Sequence, residues 1–401
     1  MKVGVGFSDN PDTVAGVRQA AGEALKAGAG QSPCDLALVF FTARHEAGIL
    51  RQALAPILGD SVPIIGGAAA GVMCHDRFGY AGDQIILAAI WLEGVSCQLF
   101  CQGDLDEGEE EAGRRLGRKM VQGGVGPDSP VFLFYDAIKR ENDQVKLIMA
   151  TPLLQGFYEG LGFLPNLVGA GLQGDYVLSP TRQLNGSDIV QHHALALAFS
   201  GNLRIDHVIM HGCRPATAYY TVTRADQQTI LEINHRPALE FIRDILGPEL
   251  PPEAYPFFLI FGINRGDKWG RFDEESYASR LCLAIDPERS GIVMFEPDMV
   301  AGTEFQVMYR SLDLSYMPPK IEQIFEGLKG RRPVLATYID CAGRAAAYAG
   351  ADLEDALVVQ KTVDGRAPLM GLYTGVEIAP VDGRPRGLDW TGVFSLFSVP
   401  Q

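Results

Sequence analysis

One order of segments recurs three times along this chain, and it restricts the fold more than any single motif. The first copy opens with Asp35–Phe41 (DLALVFF), an apolar run that predicts a buried strand. Glu46–Leu58 follows, with Ile49, Leu50, Leu54, Ile57 and Leu58 at helical spacing. Then come Pro63-Ile-Ile-Gly66-Gly67, Gly71 and another apolar strand, Gln84–Trp91. The second copy runs through a strand at Pro130–Tyr135, a helical pattern over Glu141–Leu161, Pro165–Gly169, Gly174 and a strand at His193–Phe199. The third has Pro333–Ile339, a helix over Asp352–Val359, Pro368–Gly371, Gly375 and Thr391–Phe397. The two glycines are five, five and four residues apart in the three copies.

This order has a topological meaning. A strand, a helix and a second strand favour a right-handed parallel crossover. A third strand returning antiparallel completes a βαββ unit. The expectation is an α+β fold: two related lobes of mixed, largely antiparallel sheets backed by helices, built from βαββ-like repeats. Leading prolines suit the first residue of a strand. A glycine at the strand end permits a sharp turn or the close approach of another group. The copies lie too far apart for a solenoid, whose period is about 20–50 residues.

Other elements fill the gaps. Asn10 or Asp12 caps an Ala-rich helix running to about Ala27, and Glu107–Gln122 reads as a helix with Glu109, Glu110 and Glu111 at its positive end. Leu203–Leu231 reads as a meander of strands, and Arg236–Leu246 as a helix stopped by Gly247-Pro248. Pro248–Pro256 carries four prolines and is the linker candidate. Strands are expected at Phe257–Gly262, Arg280–Ile285, Gly291–Phe295 and Glu304–Tyr309. Pro318-Pro319 pushes the next helix to start near Lys320. At roughly 100–200 residues per domain, 401 residues suggest two domains, placed at 1–230 and 231–401.

Charge and composition exclude several functions. The net charge is −15 and no dense run of Lys or Arg occurs, so phosphate-driven nucleic-acid binding and attraction to an anionic membrane are both disfavoured. No apolar run is long enough to span a bilayer, and the N-terminus lacks the apolar stretch of a secretory signal. Seven scattered cysteines, with no CxxC pair, form neither a disulfide framework nor a structural zinc site. A reducing cytoplasm is the expected location.

The motifs GVGFSDNPD, LVFFT and PIIGGAAAGV, followed by EINHRPALEFIRDILG, Ile339–Arg344 (IDCAGR) and Gly371–Pro380 (GLYTGVEIAP), resemble those of FIST proteins, with FIST-N and FIST-C domains in tandem. The resemblance spans about residues 1–398. It implies a non-enzymatic, bacterial-type cytoplasmic sensory protein in signal transduction. Such a protein binds a small ligand, an amino acid or small carboxylate, and no cofactor. Relatives of the NosP type bind haem and sense nitric oxide, which keeps haem as the alternative. Eukaryotic relatives place an F-box ahead of the FIST region; here that region begins at the first residues. No kinase, cyclase or methyl-accepting domain is attached, so the signal is expected to reach a separate protein such as a histidine kinase or cyclase. The family motif places Glu directly after Gly, whereas here the order is Gly375-Val376-Glu377. A one-residue shift in a strand turns a side chain to the other face, which leaves the pocket role of Glu377 open.

The candidate ligand residues are Cys341, Gly343, Arg344, Gly371, Gly375, Glu377 and Arg265. Cys341-Ala-Gly343-Arg344 follows a predicted strand, where ligands often sit in sheets with helical crossovers. Arg344 offers a planar fork for a carboxylate; the blander reading is a turn glycine and an acid-paired Arg. Arg265, in Asn264–Asp267, is expected near the same region. Gly66-Gly67 and Gly169-Ala-Gly171 read as tight turns rather than phosphate loops, since they lack the spacing and the Lys. His207 and His211 are expected on one strand face without a third metal ligand, so no metal site is assigned. His192 and His193 are the haem candidates. Cys341, Cys97 and Cys101 read as buried structural thiols. An enzyme of unrecognised class remains a further alternative, but no GxSxG, HExxH or SxxK motif supports catalysis, and Glu354 and Asp355 are expected on a solvated helix face.

Overall fold

The computed structural model describes residues 1–28, 33–142 and 144–401. It is an α+β protein of mixed, largely antiparallel sheets backed by helices. Each sequence copy proves longer than its repeated motif, since a leading strand precedes it and a short two-stranded arm precedes the return strand. In the first copy these are Lys2–Ser8 and the arm Gly71–Met73 with Phe78–Tyr80. In the second they are Val95–Gln102 and Gln183–Gly186 with Asp188–Val190. In the third they are Arg204–Met210 and Val376–Val381 with Arg384–Leu388.

Each copy builds four strands of a six-stranded sheet in one order: leading strand, return strand, first crossover strand, second crossover strand. The crossover pairs, Leu36–Phe41 with Ile64–Ala68, Pro130–Asp136 with Asn166–Leu172, and Arg331–Cys341 with Leu369–Thr374, are parallel. The other pairings of these sheets are antiparallel, as βαββ units demand. No copy completes its own sheet. The arm of the first pairs with the second crossover strand of the third, that of the third with the second, and that of the second with the first. Each exchanged arm covers an otherwise open strand, and the three copies are locked in a ring. Strands on both sides of residue 230 therefore share sheets.

The inner faces of the three sheets meet in one apolar core. The ring of Phe40 in the first copy packs tilted against Phe134 of the second at 4.9 Å, and Phe132 of the second likewise against Phe397 of the third at 5.5 Å. Helix pairs cover the outer faces: Thr13–Gly28 with Ala47–Leu58, Glu109–Gln122 with Ala150–Leu161, and Met317–Glu326 with Asp355–Val363. The third copy is interrupted after its leading strand by an eight-stranded sheet, from Cys213–Pro215 to Glu304–Arg310, with helix Ala238–Leu246 against it.

Several local expectations change. Glu141–Leu161 is not one helix: Ile138–Glu141 and Gln144–Leu147 form a hairpin, turned by Asn142 at φ 50°, and the helix begins at Ala150. Pro318 and Pro319 sit inside the first turn of Met317–Glu326, where a backbone N–H has no helical partner to lose. Leu203–Leu231 divides between two sheets, because Arg204–Met210 pairs with Gly392–Pro400. The Pro-rich stretch 248–256 is anchored by Tyr255, which is wholly buried in the inserted sheet's core.

Gly66-Gly67 and Gly169–Gly171 lie within strands, not in turns. Gly66 stands opposite Val39 and Gly169 opposite Leu133 on the parallel neighbour. A Cβ at either position would lie 1.9 or 2.0 Å from that neighbour's carbonyl oxygen, so only glycine fits.

Candidate functional site

The parallel register fixes three equivalent positions. Val39, Leu133 and Tyr338 each pair with the recurring glycine of their copy, Gly66, Gly169 and Gly371. Three residues further on stand Thr42, just past the end of its strand, and Asp136 and Cys341, the last residues of theirs. Thr42 donates to Gly82 O at 2.5 Å and accepts from Gln84 N–H at 3.2 Å. Asp136 accepts from the backbone N–H groups of Ile138, Thr181 and His192 at 3.0–3.3 Å. Both polar side chains tie down the chain that crosses the strand end. Cys341 has a thiol too weak to do the same.

A cavity of about 290 Å³ lies at that third strand end. Cys341, Ala342 and Gly343 wall it from the third copy's first crossover, Thr374 and Gly375 from the second, and Asp389 and Trp390 from the turn before the return strand. The second copy supplies Gln173, Tyr176 and Leu178 across the junction, and the inserted sheet supplies Phe257, Leu281 and Phe295. Tyr348 stacks on Tyr176 at 3.8 Å and 6°. Sites between structural units, mostly apolar with a few polar groups, suit small ligands.

The wall is strained. Among the described residues, Leu178, Phe257 and Trp390 are the large apolar side chains on left-handed backbone, at φ 56°, 60° and 53°. All three line this one cavity. Such a conformation costs of order 1–3 kcal/mol for a bulky residue and persists where the surroundings impose it.

Of the residues singled out in the sequence, Cys341, Gly343 and Gly375 line the cavity. A Cβ on Gly343 would sit 3.2 Å from the Trp390 ring, and one on Gly375 2.8 Å from Gln173 Oε1, so both glycines make room for wall groups. Burial, then the charge of Glu377, pushes the Cys341 thiol well above its ordinary range, which keeps it protonated and unreactive.

Arg344 stands behind the wall. Its fork is committed to Asp340 at 2.9 Å and to Asp355, with further donation to His211 O and Trp390 O. Burial of Asp340, with Asp355 beside it, drives the Asp340 carboxyl upward, and the Asp355 charge holds Arg344 firmly protonated against its own desolvation. Glu354 and Asp355 are buried, not solvated: Tyr373 O–H and Tyr80 O–H both donate to Glu354, because the helix turns this end onto the third sheet. Glu377 is fully buried one layer behind Thr374, whose hydroxyl donates to it at 3.1 Å, and burial raises its pKa. Gly371 lies in the sheet against Met73 of the exchanged arm. Arg265 lies elsewhere, 3.7 Å from Asp298.

His192 faces Asp106 at 3.2 Å, His193 bonds Gln191 O at 2.6 Å, and neither lines this cavity. His211 lies just past the strand that carries His207; Nδ1 accepts from Cys213 N–H, Nε2 meets Glu274 O, and burial pushes its pKa down to about 4. Cys74, His75 and Asp76 bring three potential ligand atoms within 4.8 Å of one another. The Cys74 thiol is pushed up to about 11 by burial, and Arg77 approaches Asp76 at 3.4 Å, so that group is occupied by its own interactions.

Sequence reasoning missed Asp389, Trp390, Gln173, Tyr176 and Tyr348. A signal existed for one pair: Asp389-Trp390 precedes Thr391-Gly392, an aromatic beside small and polar residues just ahead of an apolar strand.

Family models for the FIST N domain and the FIST C domain match residues 35–236 and 238–380. An uncharacterized protein of Mycobacterium bovis is 26% identical over 412 residues, covering 99% of each chain. An uncharacterized protein of Mycobacterium tuberculosis is 27% identical over 234 residues, covering 58% of this chain and 60% of its own. Among solved structures, PurLQS from Thermotoga maritima aligns over 99% of this chain and 72% of its own at 9% identity and a TM-score of 0.22, too slight a likeness to bear on the fold. No described helix is long and apolar enough to cross a membrane.

Proposed function

Because the chain belongs to the FIST family, whose domains are non-catalytic sensory modules of signal transduction, we propose that its sensory site is the cavity beside Cys341, Gly343, Gly375 and Trp390. A small organic ligand enters between the second and third copies and the inserted sheet. The ligand bridges three units, so its binding energy favours one arrangement of them over others. Phe257 and Tyr348, about half exposed at the rim, register occupancy on the surface that a separate signalling protein reads. The finer assignment, FIST-N at 1–230 and FIST-C at 231–401, divides the chain so that both parts contribute to this site.

The observation carrying this reading is the convergence of Leu178, Phe257 and Trp390, three strained bulky residues, on one cavity. Packing alone gives no reason to hold all three there; a pre-shaped binding wall does. The test is a thermal-shift screen with amino acids, small carboxylates, amines and neutral aromatics at millimolar concentration. A binder raises Tm in the natural chain and fails to do so once Gly343→Leu fills the cavity. No shift from any class, or a shift untouched by Gly343→Leu, removes the site from the proposal.

A further inference from the structure

The cavity wall is unbalanced in charge. Its fourteen lining residues include no Lys, Arg or His. They do include Asp389, which is buried at 3% exposure. One Asp389 oxygen, Oδ2, accepts from Leu281 N–H at 2.9 Å; the other, Oδ1, is buried without a partner. Gln173 spends its amide N–H on Asp175 O and leaves its carbonyl oxygen beside Gly375. The rest of the lining is dominated by aromatic rings: Tyr176, Phe257, Phe295, Tyr348 and Trp390.

Two of the cations around this wall are paired with carboxylates, and the third lies against a ring of the wall. Arg280 grips Asp298 through two bonds of 2.6 Å, and Arg344 is shared between Asp340 and Asp355. Arg310 lies 4.8 Å over the Trp390 ring and donates to Ala349 O. Behind the wall, Glu377 and Asp340 add two more buried carboxyls. An anionic ligand would meet acceptor oxygens and ring faces, both repulsive to it. A cation would meet an unpartnered carboxylate oxygen and the negative faces of aromatic rings, which attract ammonium groups most strongly when desolvated.

We infer that the group this cavity receives is a compact organic cation, an alkyl- or arylammonium, and not a carboxylate. The inference rests on the proposed sensory site and deepens it. The buried indole N–H of Trp390, also without a partner, provides a donor for a hydroxyl oxygen on the same ligand. The upward shift of the Asp389 carboxyl, caused first by burial and only partly offset by the charge of Arg280, agrees: a bound cation would add to that offset.

Calorimetry on the full chain tests this with three probes: choline, its uncharged isostere 3,3-dimethylbutanol, and propionate. Choline is expected to bind at least tenfold more tightly than the other two. Asp389→Asn is expected to cut choline affinity tenfold or more while leaving dimethylbutanol binding unchanged. Tyr348→Leu, at an exposed rim position, provides a second variant whose folding is not at issue; it should weaken choline more than dimethylbutanol. Equal binding of choline and dimethylbutanol, tighter binding of propionate, or no binding of choline overturns the inference. If another class binds and Gly343→Leu abolishes it, the sensory site stands and only the cation assignment falls.

Discussion

Arg344 donates to the backbone carbonyl of Trp390 at 3.3 Å, so a buried ion cluster anchors the tryptophan whose left-handed backbone forms the cavity wall. The guanidinium read from the sequence as a ligand contact is thereby a positioning group. It holds Asp340 at the end of the crossover strand, Asp355 on the outer helix and the turn carrying Trp390 in one cluster.

Arg344→Ala therefore damages stability first. It leaves two buried carboxyls without their cation, a change that costs about 3–5 kcal/mol when one partner of a buried pair is lost. Urea unfolding should show a loss in that range; a loss under about 1 kcal/mol would contradict this role for the cluster.

Gly66→Ala and Gly169→Ala should each cost about 3 kcal/mol or more, because the new methyl collides with backbone that cannot yield within a parallel pair. Gly22→Ala, on an open helix face with nothing near, is the control and should be neutral or slightly stabilising. Denaturation midpoints of the three variants decide it.

Asp136→Ala strands three backbone N–H groups, each costing about 1–3 kcal/mol if left unsatisfied. Thr42→Val removes one donor and one acceptor and should cost less. If the two variants unfold at the same urea concentration, the strand-end equivalence drawn between them is wrong.

Gly343→Leu should leave unfolding stability within about 1–3 kcal/mol of the natural chain, since its first carbon meets the Trp390 ring at 3.2 Å and Cys341 Sγ at an ordinary 3.8 Å, while ligand-induced stabilisation disappears. A retained ligand shift in a folded Gly343→Leu chain would place binding elsewhere.

The part of the stability held by Asp136 and Asp389 should fall as pH rises from about 4 to 7, while buried His211, pushed down to about 4, contributes in the opposite sense over the lower part of that range. Burial pushes the Asp136 and Asp389 carboxyls up to about 7, so between these limits the unfolded chain has released protons the folded chain still holds. Above pH 7 both states are charged and this contribution levels off. Each pKa unit corresponds to about 1.4 kcal/mol. Asp389→Asn should flatten part of that slope in urea titrations at pH 5 and 8; an unchanged slope would remove Asp389 as a contributor.

The sequence by itself determined the repeated unit. Apolar runs, helical periodicity and leading prolines are local properties, and they place the crossover strands, the return strands and most helices within a few residues. Local pattern also brought Cys341, Gly343 and Gly375 forward, because strand-end glycines leave a visible mark. Only the tertiary structure decided that the arms Gly71–Met73, Gln183–Gly186 and Val376–Val381 leave their own copies for a neighbour's sheet, since an edge strand's partner is chosen by what it can cover across space. It likewise decided that Arg344 is spent on Asp340 and Asp355, and that Gln173, Tyr176, Phe257 and Trp390 share one cavity. The cavity residues span more than 200 positions, and no period or spacing along a chain encodes a contact that exists only once three sheets have closed on a common core.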